Sequence, residues 1–157
     1  MDRKGLIICV DDEESVLSTL QEQLMGHFSD THEVLTSNSA EEALELIDTV
    51  QEEGEIIEMI ITDQIMPGLK GDEFLKTVHG KLPDVIKILL TGHAGLDSAI
   101  SAINKGGLNR YIEKPWNMDS IKDDIQSLID KFRQNLENQY MLNNLEMRIK
   151  QLESEDS

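Results

Sequence analysis

Reactive side chains stand just beyond four apolar runs of strand length. Asp11, Asp12 and Glu13 follow 6–10, Asp63 follows 59–62, and Thr91 follows 85–90. Lys114 stands two residues beyond 108–112, with Pro115 next. An acid pair plus a third acid from another strand is a hard-oxygen site. Mg2+ takes oxygen ligands octahedrally, keeps several waters, and binds through one or two carboxylates plus a phosphate. Three carboxylates packed together otherwise repel one another and hold protons. A divalent ion or the Lys114 ammonium resolves that repulsion. A hydroxyl and an ammonium alongside suit a transferring phosphoryl group, whose equatorial oxygens need charge stabilisation. An aspartate in such a setting can act as a nucleophile and form an aspartyl phosphate.

These residues are spread over about a hundred positions, so only a particular fold brings them together. Apolar runs at 6–10, 59–62, 85–90 and 108–112, with a weaker one at 32–35, read as strands. Segments of helical period lie between them. Val16, Leu17, Leu20 and Leu24 mark 14–25, and Ser39 with Glu42 forms a capping box before Ala43, Leu44, Leu46, Ile47 and Val50. Phe74, Leu75 and Val78 mark 71–78, and Ala99, Ile100 and Ile103 mark 97–104. A further helix starts near Met118. Strands that are continuously apolar are buried on both faces, as in a parallel sheet covered by helices. Five β-α repeats predict an α/β, doubly wound fold. Ligands of such folds sit outside the carboxyl ends of the strands, at the topological switch point.

The chain has 157 residues, with 14 basic and 31 acidic side chains and a formal charge of −17. That balance argues against direct nucleic-acid binding, which needs basic clusters. No apolar run approaches the length of a membrane span, and residues 1–10 lack a signal-peptide pattern. A cytoplasmic location without membrane attachment is expected. Cys9, inside the first strand, reads as a small buried hydrophobe. His27, His32, His79 and His93 have no metal-ligand spacing, so zinc is not expected. The acidic stretch 52–58 reads as a solvated loop.

Four motifs occur in order, each at a strand end: Val10-Asp11-Asp12-Glu13-Glu14, Asp63-Gln64-Ile65-Met66-Pro67-Gly68, Leu90-Thr91-Gly92-His93-Ala94 and Tyr111-Ile112-Glu113-Lys114-Pro115-Trp116. Together they resemble the receiver domain of two-component response regulators, over roughly residues 4–130. The resemblance implies a flavodoxin-like five-stranded parallel sheet of order 2-1-3-4-5. It also implies a role for each matching residue. Asp63 is the phosphoacceptor. Asp12 and Asp63 ligate Mg2+ directly, Asp11 does so mostly through water, and the backbone carbonyl of Ile65 adds a ligand; Mn2+ can substitute. Lys114 pairs with a phosphoryl oxygen, and Thr91 moves to hydrogen-bond the group. Tyr111 is the switch aromatic that changes rotamer as Thr91 moves. Lys114-Pro115 is a cis bond, and Gly71 lets the loop turn into the third helix. Ile65 and His93 occupy positions that tune phosphoryl lifetime, and an apolar Ile65 is expected to shield the acyl phosphate from water.

Residues 1–130 are therefore expected to form the receiver domain, and 131–157 a helical extension with an acidic tail. Segment 118–152 lacks Pro and Gly and reads as one helix. Ile121, Ile125, Leu128 and Phe132 space by 4, 3, 4, and Leu142, Leu145, Ile149 and Leu152 by 3, 4, 3. Both rows suit a coiled-coil seam, with the pattern slipping between them near Asn135 and Asn138. A parallel homodimer through 132–152 is expected. The partners implied are a histidine kinase or histidine phosphotransfer protein as phosphodonor. Residues 104–116 resemble receivers that precede enzymatic outputs, such as cyclases and cyclic-dinucleotide phosphodiesterases. The chain itself is expected to be a phosphoacceptor that promotes its own phosphorylation and dephosphorylation rather than an enzyme. Two rivals stand beside this reading. A Mg2+-dependent phosphohydrolase would carry Asp-x-Asp after the first strand, whereas here the acids are adjacent. A phosphorylation-independent scaffold would have no need of Asp12, Asp63, Thr91 and Lys114 together.

Overall fold

The computed structural model describes residues 4–92 and 107–155. The helix expected at 97–104 and His93 lie outside them. In chain order the elements are β1 (Gly5–Val10), α1 (Glu14–Phe28), β2 (His32–Ser37), α2 (Ala40–Glu52), β3 (Ile57–Thr62), α3 (Gly71–Lys81), β4 (Ile86–Thr91), β5 (Arg110–Glu113) and α4 (Met118–Glu155). All pairings are parallel, and the order is β2-β1-β3-β4-β5. This is the doubly wound, flavodoxin-like fold expected from the alternation of strands and helices.

The continuous apolar strands feed two core layers at once. Leu6, Ile8, Val10, Ile60 and Leu89 face α2 and α3, packing with Ala43, Ile47, Phe74, Leu75 and Val78. Their neighbours Ile7, Cys9, Met59, Ile61, Ile88 and Leu90 face the other way, onto Leu17, Leu20 and Leu24 of α1 and onto α4. A period of two along the three central strands β1, β3 and β4 thus fills both faces, which is why none of them shows polar alternation. Ser39 caps α2 by accepting the Glu42 N–H at 3.1 Å, as the capping box predicts.

The helix α4 is one unbroken element of 38 residues, about 57 Å long. Only its first part belongs to the core. Ile121, Ile125 and Ile129 are buried against the sheet, and Leu128 and Phe132 are partly buried. The expected proximal seam of Ile121, Ile125, Leu128 and Phe132 is therefore used on the body of the domain. The buried row runs through Ile129, because 4-residue steps keep a straight helix on one face.

The acidic stretch 52–58 is not wholly a loop: Ile57 and Glu58 belong to β3, and Glu58 is 5% exposed. Its charge is answered inside the fold. Arg133 of α4 donates to both carboxylate oxygens, Nε to Oε1 and Nη2 to Oε2, each at 3.0 Å. His32, 1% exposed at the start of β2, lies 3.1 Å from Oε1 through Nε2. Thr31 Oγ1 lies 2.8 Å from His32 Nδ1. The Glu58 carboxylate fills the space a side chain at residue 5 would need, so β1 begins with glycine. Three strands and α4 meet at this cluster, and Arg133 marks the point where the helix leaves the body.

Burial pushes the Glu58 carboxyl up, but the hydrogen bonds and charges of His32 and Arg133 outweigh it and hold the group below its ordinary range. A lowered carboxylate pKa stabilises the fold above the unfolded-state value, about 4.3, and that stability is lost as pH falls through the folded value. Arg133→Met is expected to lose about 1–2 kcal/mol in urea unfolding at pH 7, because the guanidinium is part exposed and His32 still serves Glu58. The stability gap between wild type and Glu58→Gln should narrow below about pH 4. A gap that widens in acid contradicts the assignment.

Candidate functional site

The carboxyl end of β1 delivers two groups to the crevice, Asp11 and Asp12, and the ends of β3, β4 and β5 deliver Asp63, Thr91 and Lys114. Asp11 follows β1, and its backbone N–H donates to Ser37 O at the end of β2 (3.2 Å). Asp63 follows β3, and its N–H donates to Val10 O (2.9 Å). The two aspartates therefore stand side by side because β1 and β3 are neighbours. Both are buried, at 3% and 6% exposure, while Asp12 is exposed. Carboxylate oxygens of Asp11, Asp12 and Asp63 all lie within 4.8 Å of one another.

Lys114 reaches in from beyond β5. Its Nζ lies 2.7 Å from Asp11 Oδ2 and 3.2 Å from Asp63 Oδ2. Several contacts aim it. The Lys114-Pro115 bond is cis, as the resemblance implies. The Lys114 N–H donates to Thr91 O at 3.0 Å. Next along, Trp116 Nε1 donates to Gln23 Oε1 of α1 at 2.7 Å. Thr91 ends β4 almost fully buried, and its carbonyl also accepts the Tyr111 hydroxyl at 3.4 Å. The Tyr111 ring rests against the α2–α3 core layer.

The loop 64–70 carries the turn expected from Pro67-Gly68. Gly68 has φ +79°, a left-handed conformation that glycine adopts without penalty. Glu41 of α2 accepts the Leu69 N–H at 2.7 Å and braces the loop. Ile65 points outward, about half exposed. Gly71 opens α3 directly beneath the acceptor strand end, where a Cβ would collide with the Asp63 carbonyl.

The electrostatics follow from burial. Desolvation pushes the Asp11 carboxyl above its ordinary range, although the Lys114 ammonium and the Glu13 N–H (2.9 Å to Oδ1) pull it down. Burial opposes the charge on Lys114, but the Asp11 and Asp63 carboxylates outweigh it and raise its pKa. Three carboxylates against one ammonium leave two negative charges, the complement of one divalent cation. The donors are all oxygen, which suits a hard ion such as Mg2+. The residues present fit that group.

The switch point of this doubly wound sheet thus holds an acid triad, a lysine and a buried threonine. The family model for the response regulator receiver domain matches residues 7–126, and the chain belongs to that family. The hydrogenase transcriptional regulatory protein HoxA of Cupriavidus necator is 33% identical over 129 residues, 82% of this chain. The chain spans about a quarter of the length of that relative (25%). A response regulator receiver domain protein from Clostridium thermocellum superposes with a TM-score of 0.70 at 32% identity, covering 82% of this chain and 97% of that one. A structure described as adenylate cyclase from Rhodopirellula baltica gives 0.75 at 30% identity, covering 90% and 98%. Among the described residues, no helix is long and apolar enough to cross a membrane.

Sequence reasoning placed Asp11, Asp12, Asp63, Thr91 and Lys114 at strand ends and Tyr111 within the last strand; the fold gathers the three aspartates and Lys114, and the Thr91 carbonyl accepts from both Lys114 and Tyr111. That reasoning missed Gln64 and Glu41, whose roles depend on where loop 64–70 passes. Saturating Mg2+ is expected to raise the thermal midpoint, since 100-fold excess over the dissociation constant adds about 2.7 kcal/mol. Asp12→Asn should lose most of that shift in a calorimetric scan. No shift in wild type contradicts a metal site here.

Proposed function

We propose that this receiver domain is a Mg2+-assisted phosphorylation switch with Asp63 as acceptor. The observation that carries the reading is the Lys114 ammonium shared between Asp11 and Asp63 across the switch point. Asp11, Asp12, Asp63 and the Ile65 carbonyl would hold a Mg2+ ion, which would neutralise charge on the incoming phosphoryl group. Mn2+ serves the same purpose. An Asp63 carboxylate oxygen forms a bond to phosphorus. The bond from phosphorus to the donor breaks, and the electron pair leaves with the phosphohistidine nitrogen of a kinase or phosphotransfer protein, or with acetate from acetyl phosphate. Lys114 then holds a phosphoryl oxygen. The Thr91 hydroxyl turns to another, and Tyr111, whose hydroxyl rests on the Thr91 carbonyl, changes rotamer with it. The chain acts on its own acceptor and turns over no external substrate.

The signal leaves through α4. Its distal half exposes Leu142, Leu145, Ile149 and Leu152, each more than half accessible. With Leu142 and Ile149 at a, and Leu145 and Leu152 at d, Arg148 falls at g and Glu153 at e. Those positions meet as opposite charges across a parallel two-stranded coil. Asn135 also falls at a, where a polar residue favours two strands in register. This supports a parallel homodimer through 132–152. The likeness to the Rhodopirellula baltica structure supports an enzymatic output such as a cyclase or cyclic-dinucleotide phosphodiesterase beyond the helix. The site lies inside the cytoplasm, where histidine kinases deliver phosphoryl groups.

Incubation with Mg2+ and acetyl phosphate is expected to add one phosphoryl group by intact mass, and none to Asp63→Asn. A change in solution mass on phosphorylation would assign α4 to transmission. An unmodified but stable dimer would instead favour a phosphorylation-independent scaffold. Ile65→Asn should shorten the life of the phosphoryl group by admitting water, read as autodephosphorylation after donor removal. An unchanged rate overturns the shielding role of Ile65.

A further inference from the structure

We propose that Gln64 is a positioning residue for phosphoryl transfer, locking the acceptor Asp63 to the N-terminus of α3. The inference rests on Asp63 being the acceptor and extends that reading to a residue that touches neither metal nor phosphoryl group.

The first N–H groups of a helix have no partner within it. Lys70, at the N-cap of α3, provides no side-chain hydrogen bond to them. Gln64 fills that role from six residues upstream. Its Oε1 accepts the Asp72 N–H at 2.8 Å, and its Nε2 donates to Asp72 Oδ1, also at 2.8 Å. The pair closes a ring equivalent to a capping box, supplied by a loop rather than by the helix itself. Gln64 is buried, at 4% exposure.

The main chain of Gln64 is held as firmly. Its N–H donates to Asp63 Oδ1 at 2.8 Å, and its carbonyl accepts the Gly71 N–H at 3.1 Å. One oxygen of the acceptor is thereby fixed by the next peptide, and the other stands 3.2 Å from Lys114. The Asp63–Gln64 peptide cannot rotate without breaking contacts to Gly71, Asp72 and the acceptor carboxylate together. The glycine at 71 permits the close approach that makes this possible. Displacing a reacting group by about 1 Å can cost a hundredfold in rate, so an anchor of this kind acts on the chemistry without touching it.

The test uses charge reversal of the ring. Gln64→Glu sets two carboxylates against each other, and labelling is followed at pH 8 and above so that the pair does not share a proton. It is expected to slow acetyl-phosphate labelling of Asp63 by about tenfold or more at saturating Mg2+, with half-saturating donor concentration little changed. Adding Asp72→Asn restores the side-chain hydrogen bond with its polarity reversed, the amide at 72 donating to the carboxylate at 64, while the backbone N–H of residue 72 still donates to the other carboxylate oxygen. The net charge then equals that of wild type. The double variant is expected to recover to within about threefold of wild-type rate. A purely structural role would lower the melting temperature without moving the maximal rate of the folded protein. Labelling of Gln64→Glu at the wild-type rate, or a double variant as slow as the single, overturns the proposal. If Gln64→Glu does not fold, Gln64→Leu, which removes the ring without adding charge, takes its place, and labelling at the wild-type maximal rate overturns the proposal. A wild type that takes no phosphoryl group overturns the acceptor reading itself. A labelled wild type matched by Gln64→Glu overturns only the role of Gln64.

Discussion

Two carboxylates, Asp11 and Asp63, are withdrawn from water at adjacent strand ends and must share one ammonium. Burying a charge is costly unless it is paired, and the cost sets conditions on everything around it. The pairing partner, Lys114, lies 103 residues from Asp11 in the chain. It can arrive only if β5 closes the sheet beyond β4 and the segment after it turns back over the crevice. The cis Lys114-Pro115 bond, the Lys114 N–H to Thr91 O bond and the Trp116–Gln23 hydrogen bond all belong to that turn. The apolar layers on both sides of the sheet hold the strand order that makes the meeting possible. One cation for three acids leaves the cluster with surplus negative charge, which is complementary to a divalent cation. A fully neutralised cluster would be a structural ion pair and nothing more.

Much of this was legible in the sequence because the signals were local and repeated. Continuous apolar runs of five or six residues announce strands buried on both faces, and an acid or amine immediately after such a run marks a strand end. The capping box at Ser39 and the Pro67-Gly68 turn were likewise readable, since each depends on a few neighbouring residues. What escaped depended on partners far away in the chain. Glu58 looked like part of an acidic loop, because nothing nearby shows that His32 and Arg133 will answer its charge. His32 looked like an ordinary residue of a weak strand for the same reason. Gln64 carried no signal of its own beside the aspartate it follows. Its function exists only once α3 is laid under the strand end. The proximal apolar row of α4 shows the opposite failure. Its spacing suits a coiled coil and a docked helix equally, and only the sheet decides between them.

The sheet thus has two charged ends with different work. At the carboxyl ends, charge is left uncompensated and open to change. At the opposite edge, Glu58, His32 and Arg133 are matched with both oxygens of the carboxylate engaged. A buried pair of that kind is weak as a source of net stability, and its value lies in fixing which atoms meet. Here it fixes where α4 departs from the body and at what rotation. Beyond Arg133 the helix makes no further use of the domain core, and the apolar residues at 142, 145, 149 and 152 are left to solvent or to a partner.

That arrangement constrains how a local event can travel. The helix is continuous from Met118, just past the lysine that senses the crevice, to Glu155. Its proximal turns are packed on β-strand residues such as Met59, Ile86 and Ile88, which sit on the same strands that end in Asp63 and Thr91. Cores packed at crystal density do not deform smoothly, so a change at the strand ends must either be absorbed locally or move a packed element as a unit. The element whose distal turns stand clear of the core is α4. A rotation of its docked turns would have to break or rebuild the two-point contact between Arg133 and Glu58. It would turn the distal apolar row relative to any partner helix. Register in a coiled coil is set by which face meets the partner, so rotation at the docked end becomes a change of pairing at the other.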